Sequence, residues 1–164
     1  MVRMSLGPNV ALGPVGHRLL HLGPSDVPAI ESLIAQSGSF APDGFASYQV
    51  ADGLFFGIAD DCGGLAAVGG THILNTEEGV AAIGNVCTHP DFRGRGYAKA
   101  ITTEIVSQLR SAGVPVIVLN VIHENRTARR LYESLGFVEH CSFVEGIVAR
   151  RRSTFLCRSE YSRR

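Results

Sequence analysis

Ten residues, "DFRGRGYAKA" (91–100), hold three cations, Arg93, Arg95 and Lys99, and two glycines, Gly94 and Gly96. The run before them is apolar and the run after them has helical spacing. A helix start offers unpaired N–H groups and the positive end of its dipole. Glycine lets an anion approach that backbone closely. The chemistry this spacing serves is the binding of a phosphate or pyrophosphate at residues 93–99. Two nucleotide motifs are excluded. No stretch reads G-x-x-x-x-G-K-[ST], and "GRGYAK" puts Lys99 where a dinucleotide fingerprint needs its third glycine. Cys87 and His89 lie two residues apart just upstream, a thiol and an imidazole that could form a covalent dyad. A cysteine on a strand is more often a small buried apolar residue, and that is the favoured reading.

The elements that must position these groups follow from periodicity. "HRLLHL" (17–22) is a short strand. Val27, Ile30, Leu33 and Ile34 mark a helix that Ser25 or Asp26 can cap. Residues 39–53 are Gly-rich and aromatic and form a loop or short helical turn. Three strands follow as a meander, "LFFGIAD" (54–60), "LAAVGGTHIL" (65–74) and "VAAIGNVCT" (80–88). The pattern then alternates. Ala98, Ile101, Ile105 and Leu109 form a helix face ended by Gly113 and Pro115, and "VIVLNV" (116–121) is a buried strand. Ala128, Leu131, Tyr132 and Leu135 are a second helix face, stopped by Gly136. The tail offers strands near 137–144 and 149–157. Residues 1–14, broken by Gly7, Pro8, Gly13 and Pro14, are expected to be a flexible N-terminal arm and a poor signal peptide. A single domain over 15–164 follows it.

Composition bounds the rest. Apolar residues are 45% and charged residues 18%, as in a globular chain, and 15 basic residues balance 15 acidic ones. A nucleic-acid partner rests only on "RRRS" and "SRR" near the end and is not expected. No apolar run reaches membrane-span length, so no membrane partner is expected. Cys62, Cys87, Cys141 and Cys157 are widely spaced with no CxxC, which fits free thiols in a reducing cytoplasm.

The pattern R-x-x-G-x-A, here Arg93, Gly96 and Ala98 after "VCTHP", resembles the acetyl-CoA signature of the GCN5-related N-acetyltransferase (GNAT) superfamily. "LNVIHENRTARRLYESLGF" (119–137) resembles that superfamily's strand–Asn–helix–Tyr–Gly–Phe element. "IGNVCTHPDFRGRGYAKAIT" is similar to its FR47-like, glycine acyltransferase-like branch. The resemblance spans 17–157. It implies an α/β (α+β) fold with a mixed, mostly antiparallel central sheet of about six to seven strands and about four flanking helices.

It also implies transfer of an acetyl or short acyl group from coenzyme A to a primary amine by direct attack. Backbone amides of Val86, Cys87 and Thr88 would hold the acyl carbonyl and pantetheine arm. Arg93, Gly94, Arg95, Gly96, Tyr97, Ala98 and Lys99 would hold the pyrophosphate. Asn125 would contact the cofactor as well as cap its helix, and Arg129 belongs to the same cofactor set. Tyr132 would face the thioester sulfur and assist departure of the thiolate.

One departure stands out. Related protein-N-terminus acetyltransferases carry a Glu five positions before the Asn, and here that position is Asn120. The histone-type Glu would fall near Ala82. The proton acceptor is therefore open among His123, Glu124, His72 and water, with His123 the first choice. The acceptor is expected to be a small-molecule amine, with Phe40, Phe45 and Tyr48 suiting a partly apolar one. The competing reading is a non-catalytic acyl-CoA-binding or regulatory module on the same fold. Either monomer or homodimer is compatible with the sequence.

Overall fold

The computed structural model describes residues 1–7, 10–42 and 44–145. Its strands are β1 (Val2–Leu6), β2 (Leu20–Leu22), β3 (Phe55–Ala59), β4 (Leu65–Asn75), β5 (Val80–Thr88), β6 (Val116–Val121) and β7 (Phe137–Ser142). Its helices are α1 (Val27–Gln36), α2 (Tyr48–Asp52), α3 (Tyr97–Ser111) and α4 (Arg126–Ser134), with short 3-10 turns at Pro24–Asp26, Gly38–Phe40 and Pro90–Phe92. The strands form one sheet in the order β2-β3-β4-β5-β6-β1-β7. Every pairing is antiparallel except β5 with β6. The expected mixed sheet, meander and β-α-β-α unit are all present. The strand expected over 149–157 lies outside the described residues.

Alternation along the strands builds two cores, one on each face. Phe55 and Val68 join Ile30, Leu33, Val50 and Cys87 beneath α1 and α2. Their neighbours Phe56 and Ala67 face Ile101, Ile105, Leu109 and Tyr132 beneath α3 and α4. Period-two patterning thus assigns each strand residue to one helix pair or the other.

The expected flexible arm over 1–14 is corrected at its start. "VRMSL" is a strand, with Val2 and Met4 fully buried and Arg3 and Ser5 pointing away. It slots between β6 and β7 in register Met4↔Leu119 and Leu6↔Phe137. Its alternation is visible in sequence, but both partners lie more than a hundred residues away, so no local turn announces the pairing. The stretch after it is also tied down. Gly7 N–H donates to Gly136 O, and the Arg110 guanidinium donates to the carbonyls of Gly7 and Val10.

Candidate active site

The site begins where β5 and β6 part. Their parallel pairing runs only from Val80↔Val116 to Ile83↔Leu119, although β5 continues to Thr88. Beyond Ile83, the β6-facing edge of β5 has no strand partner among the described residues, and a wedge opens toward the C-terminal ends of both strands. A bulge marks the same place. Against β4, Gly84 pairs with Gly70 and Cys87 with Val68, so Asn85 and Val86 together face Gly69. Asn85 takes φ 54° to achieve this, the one described non-glycine residue with positive φ. Such a bulge re-aims backbone groups and switches side chains to the other face. Val86 accordingly packs toward the α3–α4 core and Cys87 toward the α1–α2 core.

At the wedge's mouth α3 begins without a side-chain cap. Gly96 is its N-cap at φ 80°, and Gly94 sits at φ 77°. Side chains other than Asn or Asp rarely adopt this left-handed conformation. Gly94, Arg95, Gly96 and Lys99 are exposed, so the helix start presents free amides with two exposed cations beside them. Arg95 rests over the Phe92 ring, 5.0 Å from its centroid. Tyr97 meets the His17 ring edge-on at 4.9 Å, so the 11–17 stretch walls one side of this mouth. The residues present fit a diphosphate.

Arg93 departs from the expected set. Its guanidinium donates to the carbonyls of Thr88 and Ser37. It ties the end of β5 to the end of α1, and its charge is directed at backbone carbonyls instead of the helix mouth. Arg129 is likewise engaged, in an ion pair with Glu139 at 3.0 Å, while its Nε is buried without a hydrogen-bond partner among the described residues.

Asn125 is the N-cap of α4, accepting from Ala128 N–H at 3.1 Å. Tyr132 lies one face further along, 8% exposed and edge-on to Phe137 at 6.0 Å. It shares its core with Val86, Tyr97 and Ala128, so the bulge, the α3 start and the α4 start converge on one cluster. The Tyr132 hydroxyl makes no hydrogen bond to a described residue, and burial pushes its pKa up to about 12. At neutral pH it is a hydrogen-bond donor.

Cys87 and His89 do not form a dyad. Cys87 is buried, and desolvation pushes its thiol up, opposed by a hydrogen bond with Ser37 and by the charge of Arg93. The His89 ring instead caps the 90–92 turn, its Nδ1 accepting from Asp91 N–H. His123 is exposed in the β6–α4 turn with no hydrogen bond to a described residue. Glu124 is exposed beside it. Asn120 points outward and accepts from Arg3 Nε at 3.1 Å. Among the described residues no cluster of three or more His, Cys, Asp or Glu side chains could hold a metal.

A splayed parallel strand pair, a bulge at the splay and an uncapped Gly-rich helix facing it define the N-acyltransferase class of α/β fold. Comparison with known proteins agrees. The model of the Acetyltransferase (GNAT) family matches residues 28–137, and the chain belongs to that family. It is 31% identical over 117 residues to the [ribosomal protein bS18]-alanine N-acetyltransferase of Escherichia coli K12, covering 70% of this chain and 76% of that one. It is 39% identical over 92 residues to the mycothiol acetyltransferase of Nocardiopsis dassonvillei, covering 52% of this chain and 28% of that one. A crystal structure of a GNAT-family protein from Novosphingobium aromaticivorans superposes with a TM-score of 0.68 at 31% identity, covering 85% of this chain and 59% of that one. The chain thus spans well under two thirds of the last two. It likewise spans 39% of the bS18-alanine N-acetyltransferase of Haemophilus ducreyi.

Proposed function

We propose that the chain transfers an acetyl or short acyl group from a coenzyme A thioester directly to a primary amine, in the cytoplasm. The observation that carries this is the wedge beyond Ile83 facing the uncapped start of α3. Backbone amides on the β6-facing edge of β5, those of Val86, Cys87 and Thr88, hold the acyl carbonyl and the pantetheine arm. Gly94 to Lys99 hold the diphosphate, with Arg95 and Lys99 supplying exposed charge. Arg93 and Arg129 shape the walls. Tyr132 donates a hydrogen bond to the departing sulfur.

Full proton transfer from a phenol near pKa 12 to a thiolate near 8.5 is uphill by about 5 kcal/mol. The tyrosine therefore stabilises the thiolate, and the proton arrives from water. A covalent route through Cys87 is disfavoured because its thiol is buried and pushed toward the neutral form.

For the acceptor we propose a small-molecule amine. Asn120, standing where related protein-terminus acetyltransferases carry their Glu, cannot take up a proton and accepts a hydrogen bond from Arg3. A protein α-amine is the competing acceptor, since the E. coli and Haemophilus relatives are bS18-alanine N-acetyltransferases. The FR47-like placement rests on the "IGNVCTHPDFRGRGYAKAIT" phrase, and the relatives above carry other names. A thiol-release assay with acetyl-CoA and a panel of amines, Ala-initiated peptides included, tests the reading. Turnover with small amines is expected. Turnover confined to peptides overturns the acceptor, and coenzyme A binding without release for any amine leaves a binding module.

A further inference from the structure

His72, on β4, is joined to two buried amides in a chain that fixes its tautomer. Gln49 is 5% exposed and Asn85 3%. The Gln49 amide is held at both ends by backbone: Oε1 accepts from Ala46 N–H at 3.1 Å, and Nε2 donates to Gly44 O at 3.2 Å. A backbone N–H can only donate and a carbonyl can only accept, so the orientation of this amide is not free. Asn85 must then turn its Nδ2 to Gln49 Oε1, a contact of 2.9 Å. That leaves Asn85 Oδ1 facing His72 Nε2 at 3.1 Å. An amide oxygen only accepts, so Nε2 must carry the hydrogen. In the neutral ring the other nitrogen, Nδ1, is then a bare lone pair. It has no hydrogen-bond partner among the described residues.

The ring's position is as specific as its tautomer. It lies directly over Gly84, where a Cβ would come within 2.2 Å of His72 Cδ2. Gly84 is the first β5 residue past the last pairing with β6 and lies two before Val86. The imidazole therefore stands at the throat of the wedge. Gln49 lies on α2, so the ring approaches from the α1–α2 face, while Tyr132 packs on the α3–α4 face. Gly44 borders the ring on the other side, its own Cβ position 3.4 Å from Cε1. No charged side chain among the described residues pairs with His72. The left-handed Asn85 has a use on this account: its strain aims an amide at one nitrogen of one histidine.

We propose that His72 is the proton acceptor for the incoming amine, with Asn85 and Gln49 as the positioning residues that hold the neutral ring with its hydrogen on Nε2 and its lone pair on Nδ1. The inference rests on the acyl-transfer reading above. The ammonium form of the acceptor gives one proton to Nδ1, and the imidazolium later releases it to solvent. The freed nitrogen attacks the thioester carbonyl, the C–N bond forms and the C–S bond breaks. The second amine proton leaves through water to the thiolate. The sum is amide, free thiol and one proton released.

The test uses the full chain and His72→Ala, a change at an exposed side chain. With an alkylamine that is protonated at the assay pH, kcat/KM is expected to fall about a hundred-fold or more, as loss of a general base does. The KM for acetyl-CoA should stay put, and added free imidazole should restore part of the rate. With a weakly basic amine already neutral at that pH, the deficit should shrink to a few-fold. An equal deficit for both amines, or none, overturns the proposal while leaving the transfer reading intact. Absence of turnover by the unaltered chain overturns both. The tautomer is read independently by nitrogen-15 NMR of the His72 ring, where the Nε2–H pattern is expected. Asn85→Gly keeps the left-handed backbone but removes the amide, and should give mixed tautomers. An Nδ1–H pattern in the unaltered chain overturns the positioning.

Discussion

Tyr132→Phe isolates one hydroxyl. The ring is buried and edge-on to Phe137, and the hydroxyl has no hydrogen-bond partner among the described residues. Its removal therefore leaves the packing intact and orphans nothing. In the transition state the same hydroxyl would donate to a sulfur gaining negative charge. A hydrogen bond to a charged group is worth about 1.5–3 kcal/mol, which is roughly a 10- to 150-fold loss in kcat. Acetyl-CoA affinity should change by less than about threefold, because the ground-state sulfur carries no charge to stabilise.

The pKa near 12 adds two signatures. The hydroxyl remains protonated through any workable assay, so it contributes no alkaline limb to kcat below about pH 11. Stability follows the same sign. The folded pKa is raised above the unfolded value near 10, so the contribution is whole below pH 10 and is lost as pH rises toward 12. That loss is about 2–3 kcal/mol, and Tyr132→Phe should not show it. Steady-state kinetics measure the first, and urea unfolding at pH 9 and 11, between which about half of that loss should appear, measures the second. An unchanged kcat, or equal losses in rate and acyl-CoA binding, would make Tyr132 a packing residue and refute its place beside the sulfur.

Gly96→Asp should abolish coenzyme A binding measured by calorimetry, whereas Gly96→Asn, which tolerates the same φ of 80°, should retain most of it. The difference is charge, about 3 kcal/mol for one carboxylate roughly 5 Å from one phosphate charge at an effective dielectric near 20; equal affinities would remove the diphosphate from this helix. Cys87→Ala should keep kcat within about threefold. At pH 7.5 iodoacetamide should label the exposed Cys62 and Cys141 well before Cys87, and rapid loss of activity on alkylating Cys87 would reopen the covalent route. Met4→Ala, at a side chain 1% exposed, should cost about 2–5 kcal/mol in urea unfolding. A cost below about 0.5 kcal/mol would mean the first strand is not part of the stable core.

The helix faces and the meander were legible because each is written in local periodicity. Ile101, Ile105 and Leu109 at helical spacing needed no partner to be read, and Gly113 and Gly136 marked their ends. The uncapped Gly-rich turn was legible for the same reason. What failed was whatever depends on pairing at a distance. β1 carries a clear alternation in "VRMSL", yet its partners come from residues 116–142. Arg93 read as one of three equivalent cations, and only the fold brings the carbonyl of Ser37 within its reach. Gln49, Asn85 and His72 are dispersed over three elements, and no motif links them. One local clue existed: Gly84 followed by Asn85 interrupts an otherwise apolar strand, and Asn is among the few residues that accept positive φ. The glycine makes room for the imidazole and the asparagine bends to meet it, but the sequence shows neither neighbour.

The place of β1 in the sheet sets the order in which the molecule can be completed. β1 is hydrogen-bonded on one side by β6 and on the other by β7, the last described element. During synthesis at roughly 5–20 residues per second it waits about seven to thirty seconds for its second partner. Through that interval Val2 and Met4 have no core to enter, and β2 to β5 can already pair as a meander. Completion then requires an interior slot between two later strands to be filled by an earlier one. Closing the sheet is therefore a pairing at long sequence separation, the kind of step that slows folding.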